Sequence, residues 1–199
     1  MEWCSTSIWT GSTTIQKHTI MKFIETEIDG CYIIEHNAFH DYRGYFMVPF
    51  NRDEMINQLG YEIDFIQDNM SLSQYGVIRG LHYQIGEYSQ AKLVTCVHGE
   101  VLDVAVDIRK ESKTFGKTVK VKLARHLFRS LFIPRGCAHG FSVLTEEAIF
   151  QYKVDNHYNK DSERGIIYND PTLNIDWLTH PDLQIVHERD LSFPKFSEL

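Results

Sequence analysis

The chain has 199 residues, of which 43% are apolar and 13% aromatic, and this composition predicts a folded globular protein with a sizeable core. Its 20 basic and 27 acidic residues give a formal net charge of −7, so we expect no general binding to nucleic acid or to anionic membranes. Apolar runs such as Val104-Ala105-Val106 are far shorter than the ~18 residues that a membrane-spanning helix needs.

Residues 1–20 differ from the rest of the chain. They are rich in Ser and Thr, show no apolar period, and lack the basic start and apolar core of a secretion signal. Met21 resembles a natural start and is followed at once by a strand-like segment. We therefore predict an N-terminal extension over residues 1–20, which folding and activity do not need, and a single domain over residues 21–199.

Strand patterns dominate after Met21. Residues 118–123 alternate strictly between polar and apolar, which is typical of a half-buried strand, and residues 101–108 alternate as well. Segments 92–97 and 148–154 are rich in β-branched and aromatic residues. Because Gly and Pro recur at short intervals between these segments, the sequence predicts an all-β sandwich or small barrel.

One helix is predicted shortly after residue 50. Asn51 and Glu54 form an N-cap and capping-box pair, and Gly60 ends the helix. The apolar stripe behind the cap consists of Met55, Ile56 and Leu59. The C-terminal third, residues 155–199, is more polar, and we expect it to wrap the barrel.

The cysteines and histidines do not form a metal-binding pattern. The four cysteines contain no C-x-x-C pair, which favours a reduced, cytoplasmic protein; they are Cys4, Cys31, Cys96 and Cys137. The chain has no His-Glu-x-x-His, and neither His82 nor His139 has a second histidine one residue away. We therefore predict no metal and no other cofactor, and the absence of Gly-x-Ser-x-Gly gives no support to a hydrolase nucleophile elbow.

A histidine, a lysine and a tyrosine in strand-like segments indicate proton-transfer chemistry. A base such as His82 removes a proton next to a carbonyl, and a cation such as Lys92 steadies the enolate oxygen. A phenol such as Tyr152 then returns a proton from the other side. Taken singly, each of these residues also has an ordinary structural explanation.

The position of Arg79 relative to His82 is a difficulty for this hypothesis. Strict strand alternation places the two side chains on opposite faces, unless Gly80 marks a bulge or bend.

Five motifs occur in order along the chain: Gln67-Asp68-Asn69-Met70-Ser71, Gly76-Val77-Ile78-Arg79-Gly80-Leu81-His82-Tyr83-Gln84, Gly99-Glu100-Val101-Leu102-Asp103-Val104-Ala105-Val106-Asp107-Ile108-Arg109, Ile133-Pro134-Arg135-Gly136-Cys137-Ala138-His139-Gly140-Phe141 and Asn169-Asp170-Pro171. Together they resemble the signature of dTDP-4-dehydrorhamnose 3,5-epimerases, from about Met21 to near the C-terminus. The resemblance implies a cupin-type β jelly roll with a few short helices, free of metal and working as a homodimer. It also implies a dTDP-4-keto-6-deoxyglucose substrate, epimerised at C3 and C5 on the way to dTDP-L-rhamnose for cell-surface polysaccharides.

The resemblance also assigns roles to individual residues. His82 matches the family's base, Asp190 the carboxylate that orients it, Lys92 the residue near the C4 carbonyl oxygen, and Tyr152 the proton donor. The positions that match contacts to nucleotide, diphosphate or sugar are Arg43, Phe46, Gln67, Asn69, Arg79, His139, Tyr158 and Glu163. Arg79 is the natural diphosphate clamp because its planar fork binds two oxygens at once. We further expect Asp103 to pair with Lys92.

Two positions depart from the family pattern. Val48 stands where the family usually has an acidic residue that contributes to nucleotide binding, and Met70 replaces a commonly polar residue. Several alternatives remain: a single-centre epimerase or ketoisomerase of another nucleotide 4-keto sugar, and a non-catalytic sugar-nucleotide-binding cupin. A metal cupin oxygenase is disfavoured by the missing histidine pair.

Overall fold

The computed structural model describes residues 20–199, so the predicted extension over residues 1–20 lies almost entirely outside the described residues and stays a prediction. At its boundary, the backbone N–H groups of Ile20 and Met21 donate to the Glu54 carboxylate at 3.2 and 3.0 Å. The chain is therefore tied to the fold from residue 20 onward.

Strands make up most of the regular secondary structure in the described residues. The two α-helices are α1 (Arg52–Leu59) and α2 (Glu188–Leu191). The strands are β1 (Met21–Glu25), β2 (Tyr32–His36), β3 (Ala38–Asp41), β4 (Gly44–Met47), β5 (Gln67–Gln74), β6 (Val77–Gln84), β7 (Lys92–His98), β8 (Glu100–Asp107), β9 (Thr118–Ala124), β10 (Arg129–Ile133), β11 (Cys137–Val143), β12 (Glu147–Val154), β13 (Glu163–Gly165) and β14 (Ile185–Val186).

Two large sheets form the body of the molecule. The first sheet has the order β1-β2-β10-β7-β12-β5, and the second has the order β13-β6-β11-β8-β9, with β14 pairing in parallel with β6. All other pairings are antiparallel, and β3 and β4 form a separate hairpin. Many strand neighbours are distant in sequence, as in a jelly roll, and the predicted all-β fold is confirmed.

The main core cluster draws its side chains from both sheets. Val94 and Phe150 from the first sheet pack with Ala105 and Phe141 from the second, and the two phenylalanine rings stack with centroids 4.2 Å apart. The other face of the second sheet is covered by the C-terminal third, which contributes Trp177 to a second cluster. β8 is therefore buried on both faces, which fixes the positions of its polar side chains as firmly as those of its apolar ones.

The predicted elements lie close to where the sequence placed them. Segments 92–97, 101–108, 118–123 and 148–154 correspond to β7, β8, β9 and β12 within one residue at either end. The helix prediction is also confirmed, since the side chain of its N-cap residue accepts from the Glu54 N–H at 3.0 Å and Gly60 ends it at φ +75°.

The capping box is only half formed. The Asn51 side chain caps the helix as predicted, but the Glu54 carboxylate accepts from the start of β1 rather than from the N-cap backbone. A tertiary contact has replaced the local one, and it anchors α1 to the first sheet.

The described cysteines, Cys31, Cys96 and Cys137, are buried and free, while Cys4 lies outside the described residues. No helix within residues 20–199 is both long enough and apolar enough to cross a membrane.

Candidate active site

A cavity of about 510 Å³ opens between the two sheets and the C-terminal segment. Side chains from β5, β6, β7, β11, β12 and β13 reach it, together with residues at α2. Eight of the twelve predicted site residues line it: Asn69, Arg79, His82, Lys92, His139, Tyr152, Glu163 and Asp190. The cavity has the size and the mixed lining of a small-molecule site.

His82 and Asp190 form a pair at the cavity wall. The His82 Nε2 lies 2.9 Å from the Asp190 Oδ1, and the carboxylate is almost fully buried while the imidazole is about a quarter exposed. Burial alone raises the pKa of Asp190, but the hydrogen bonds from His82 and from the Gly80 N–H outweigh it, so that the pKa lies below its usual value. The buried partner is therefore an anion, and it accepts a hydrogen bond from the His82 imidazole.

A bulge in β6 allows Arg79 and His82 to face the same cavity. The register of β6 against β11 shifts at this point, so that Arg79 pairs with Phe141 and His82 pairs with His139. Two residues of β6 therefore oppose a single residue of β11. A side chain at Gly80, whose φ is +129°, would meet the β11 backbone at 2.5 Å, so glycine is required for the close approach. The difficulty raised by strict alternation is removed.

Lys92 is a buried cation in the same cavity. Burial lowers its pKa to about 8, and the nearby carboxylates of Asp103 and Glu163 offset part of that fall. Its side chain forms no ion pair within the described residues. The ammonium group is thus available to a ligand.

The expected pair between Asp103 and Lys92 is wrong. The Asp103 Oδ1 lies 2.7 Å from the His139 Nε2 instead. β8 and β11 are adjacent strands, and the two side chains are diagonal neighbours on the face that points between the sheets, whereas Lys92 belongs to the opposite sheet. The pKa of His139 is nevertheless lowered, because burial outweighs the carboxylate.

Tyr152 reaches the cavity from the opposite sheet to His82. It lies on β12, packs against the main core cluster, and has a raised pKa because it is largely buried. The phenol therefore keeps its proton throughout the neutral range. An imidazole and a phenol thus face one cavity from two sides.

Two predicted residues lie one contact away from the cavity lining. The Tyr158 hydroxyl donates to the Glu163 carboxylate at 2.9 Å, and the Gln67 amide donates to the Asn69 side chain at 2.7 Å. Both therefore belong to the rim of the site.

Two other predicted residues are separate from the cavity. Arg43 and Phe46 lie on the β3–β4 hairpin, where Arg43 pairs with Asp41 and Phe46 is 65% exposed. Neither lines the cavity of this chain.

Arg189 is a cavity residue that the sequence analysis did not single out. Its guanidinium donates to Glu163 at 2.8 Å and to Asp190 at 3.3 Å, and its Nη2 lies 3.4 Å from the His82 Nε2. Its position directly before Asp190, the predicted partner of His82, was the signal available in the sequence. His187 also lines the cavity and caps this helix.

The described residues contain no group of three or more His, Cys, Asp or Glu side chains placed to hold a metal ion. The cavity instead combines a histidine–carboxylate pair, a buried ammonium and a protonated phenol.

Comparison with known proteins identifies the family. The model of the family described as dTDP-4-dehydrorhamnose 3,5-epimerase matches residues 25–198. The chain belongs to this family. The predicted family, and with it the isomerase class, are confirmed.

Two relatives show how similar members of this epimerase family are to the chain in sequence and structure. A curated dTDP-4-dehydrorhamnose 3,5-epimerase of Shigella flexneri is 49% identical over 176 residues, which cover 88% of this chain and 96% of that protein. The crystal structure of a dTDP-6-deoxy-D-glucose-3,5-epimerase from Legionella pneumophila, in complex with dTDP-4-keto-L-rhamnose, is 44% identical with a TM-score of 0.84 and covers 89% of this chain and 93% of that one.

The epimerase fold also carries a narrower activity. A 3′-monoepimerase from Streptomyces bikiniensis, solved with dTDP-quinovose, has a TM-score of 0.80 and 29% identity, and covers 86% of each chain. The fold alone therefore does not set the number of centres inverted.

Proposed function

We propose that this chain epimerises a dTDP-4-keto-6-deoxyglucose at C3 and C5 to give dTDP-4-keto-L-rhamnose, as a step of dTDP-L-rhamnose biosynthesis. The observation that carries the proposal is that the His82–Asp190 pair and Tyr152 face one cavity from opposite sheets, with the Lys92 cation in the same space. Inversion of a carbon needs a base on one face of the sugar and an acid on the other.

The first step is removal of a proton next to the C4 ketone. The His82 Nε2 is engaged by Asp190, which leaves Nδ1 as the nitrogen that accepts the proton. As the C–H bond breaks, its electron pair moves onto the C4 oxygen, and the Lys92 ammonium stabilises the enolate. The buried Asp190 anion stabilises the imidazolium that forms.

The second step returns a proton from the opposite face. Tyr152 donates its phenolic proton to the same carbon, so that the enolate collapses to the ketone with inverted configuration. Exchange with solvent then restores the proton of Tyr152 and removes that of His82. The same cycle at the second carbon completes the double epimerisation.

Arg79 is proposed as the clamp for the diphosphate. Its guanidinium is exposed at the cavity, where the Ser73 hydroxyl accepts from its Nε at 3.1 Å and orients its planar fork. A planar fork holds two phosphate oxygens in one plane, which places the sugar relative to the base. Asn69, His139, Glu163 and the rim residues Gln67 and Tyr158 are proposed as further substrate contacts.

We also propose that the chain works as a homodimer in the cytoplasm. Arg43 and Phe46 match substrate-binding positions of the family, but they lie on a hairpin that does not line the cavity of their own chain. A second copy that supplies this hairpin reconciles the two facts. The free thiols of the described cysteines support a reducing compartment.

The Lys92 ammonium gives the reaction a predicted pH dependence. Because its pKa is lowered to about 8, the cation is present below that pH and is lost above it, so kcat is expected to fall as pH rises through about 8. Asp103 raises the pKa of Lys92, so in Asp103→Asn the fall in kcat is expected to occur at lower pH. Steady-state kcat measured across pH 6–10 tests both points. A fall in kcat that occurs at the same pH in Asp103→Asn would contradict this role of Lys92. Lys153→Gln, which removes a partly exposed lysine outside the cavity lining, serves as the control.

Incubation with dTDP-4-keto-6-deoxyglucose in heavy water tests the proposed function. We expect NMR to find deuterium at both C3 and C5 and to identify dTDP-4-keto-L-rhamnose as the product, because each enolate is quenched by a proton that exchanges with solvent. Exchange at one carbon only would identify a single-centre epimerase. Nucleotide-sugar binding without any exchange would identify a non-catalytic binding protein.

A further inference from the structure

Phe193 packs against the His82 ring. It lies two residues after the end of α2. The two rings meet edge to face, with centroids 5.6 Å apart and an interplanar angle of 79°. The Arg189 guanidinium carbon lies 5.8 Å from the centroid of the same Phe193 ring. His82 and Arg189 are also the two side chains that contact the Asp190 Oδ1, at 2.9 and 3.3 Å. One phenylalanine thus contacts both partners of the buried carboxylate.

The space for Phe193 exists only because residue 165 is glycine. Gly165 on β13 is the direct cross-strand partner of His82 on β6. A Cβ at this position would lie 2.3 Å from the Phe193 ring, far inside the closest normal contact. The backbone of Gly165 has no positive φ, so the reason for glycine is steric and comes from Phe193.

The chain after Phe193 is fixed by contacts away from His82. The Ile167 N–H donates to the Pro194 carbonyl at 2.9 Å. The Phe196 N–H donates at 2.8 Å to Asp170, a buried carboxylate that also accepts from the backbone N–H groups of Thr172 and Leu173. Phe193 is therefore held on both sides, by α2 before it and by these hydrogen bonds after it.

We propose that Phe193 is a positioning residue for the His82 imidazole and that Gly165 provides the space that this residue needs. The proposal rests on the proposed role of His82 as the base. Asp190 fixes the imidazole at one nitrogen only and leaves it free to tilt about that hydrogen bond. Contact with the Phe193 ring removes this freedom, so that Nδ1 keeps its direction toward the sugar carbon. A base misplaced by about 1 Å loses roughly 100-fold in rate.

Truncation of Phe193 tests the proposal. Phe193→Ala is expected to lower kcat for exchange at C3 and C5 by roughly 10- to 100-fold and to leave KM within about threefold, because the diphosphate and nucleotide contacts remain. The matched control is Phe196→Ala, which removes an equally half-buried ring that packs on Phe115 at 5.2 Å and retains the backbone bond to Asp170. We expect this control to keep the wild-type kcat.

Gly165→Ala provides a second route to the same effect. Its Cβ displaces Phe193, so kcat is again expected to fall with KM nearly unchanged, whereas Gly165→Ala combined with Phe193→Ala should be no slower than Phe193→Ala alone. Additive losses in the double variant, or a wild-type kcat in folded Phe193→Ala, would overturn the positioning role. Phe193→Leu replaces Phe193→Ala if the latter does not fold. His82→Ala separates the two proposals. Solvent exchange that persists in His82→Ala contradicts the role of His82 as the base. Loss of exchange in His82→Ala together with a wild-type kcat in the Phe193 and Gly165 variants contradicts only the positioning role.

Discussion

Replacing His82 with alanine is expected to abolish solvent deuterium exchange at both C3 and C5 of the 4-keto sugar. The imidazole is the proposed base for both carbons, and a positioned general base contributes roughly 10²- to 10⁴-fold to such a reaction. NMR of the nucleotide sugar in heavy water measures the exchange at each carbon separately. Because Asp190 and Lys92 remain in place, the loss reports on the base rather than on the stability of the enolate.

Substitution of a second histidine serves as the control for a general effect on folding. His126 is exposed and does not line the cavity, so His126→Ala is expected to exchange both carbons at the wild-type rate. Retention of exchange at both carbons in His82→Ala would contradict the assignment of His82 as the base. Loss at one carbon alone would mean that the other centre has a base of its own, and the buried His139–Asp103 pair is the next imidazole in the cavity.

The periodic parts of the fold could be predicted from sequence because local chemistry decides them. The Asn51 cap, the Gly60 stop and the alternation along β8 each follow from a few neighbouring residues. The alternation alone did not reveal that Asp103 and Asp107 are completely buried, since a strand with polar residues on one face is normally wet on that face. Here the second sheet is covered on both sides. Asp103 pairs with the buried His139, and Asp107 accepts from the hydroxyl of the partly buried Ser112.

The site was predictable where motifs carried it and not where distant segments meet. The resemblance brought His82, Lys92, Tyr152 and Asp190 together from four separate stretches, and all four line one cavity. It did not reveal which side chain Asp103 pairs with, because that depends on strand adjacency in the folded sheet. The contact of Phe193 with Gly165 depends in the same way on where the C-terminal segment crosses β13.

Replacing Tyr152 with phenylalanine is expected to separate proton removal from completed inversion. The change keeps the ring packing on the main core cluster and deletes only the hydroxyl, so His82 and Lys92 still form the enolate. Product formation is expected to fall roughly 10²- to 10⁴-fold, which is the range for loss of a general acid. Loss of the substrate C–H proton is expected to fall much less, since the imidazolium of His82 exchanges the proton for solvent deuterium and returns the deuteron to the face that the proton left.

NMR measures proton removal and inversion in the same sample, which contains the Tyr152→Phe variant and the 4-keto sugar in heavy water. Deuterium that accumulates in substrate of unchanged configuration reports enolisation, and the signals of dTDP-4-keto-L-rhamnose report inversion. Tyr168→Phe is the control, because that phenol is half-buried in the second core cluster, outside the cavity, and its loss should change neither rate. Equal slowing of exchange and inversion in Tyr152→Phe would count against the donor role. The inverting proton would then have to come from solvent, and the phenol would serve only to hold the sugar for His82.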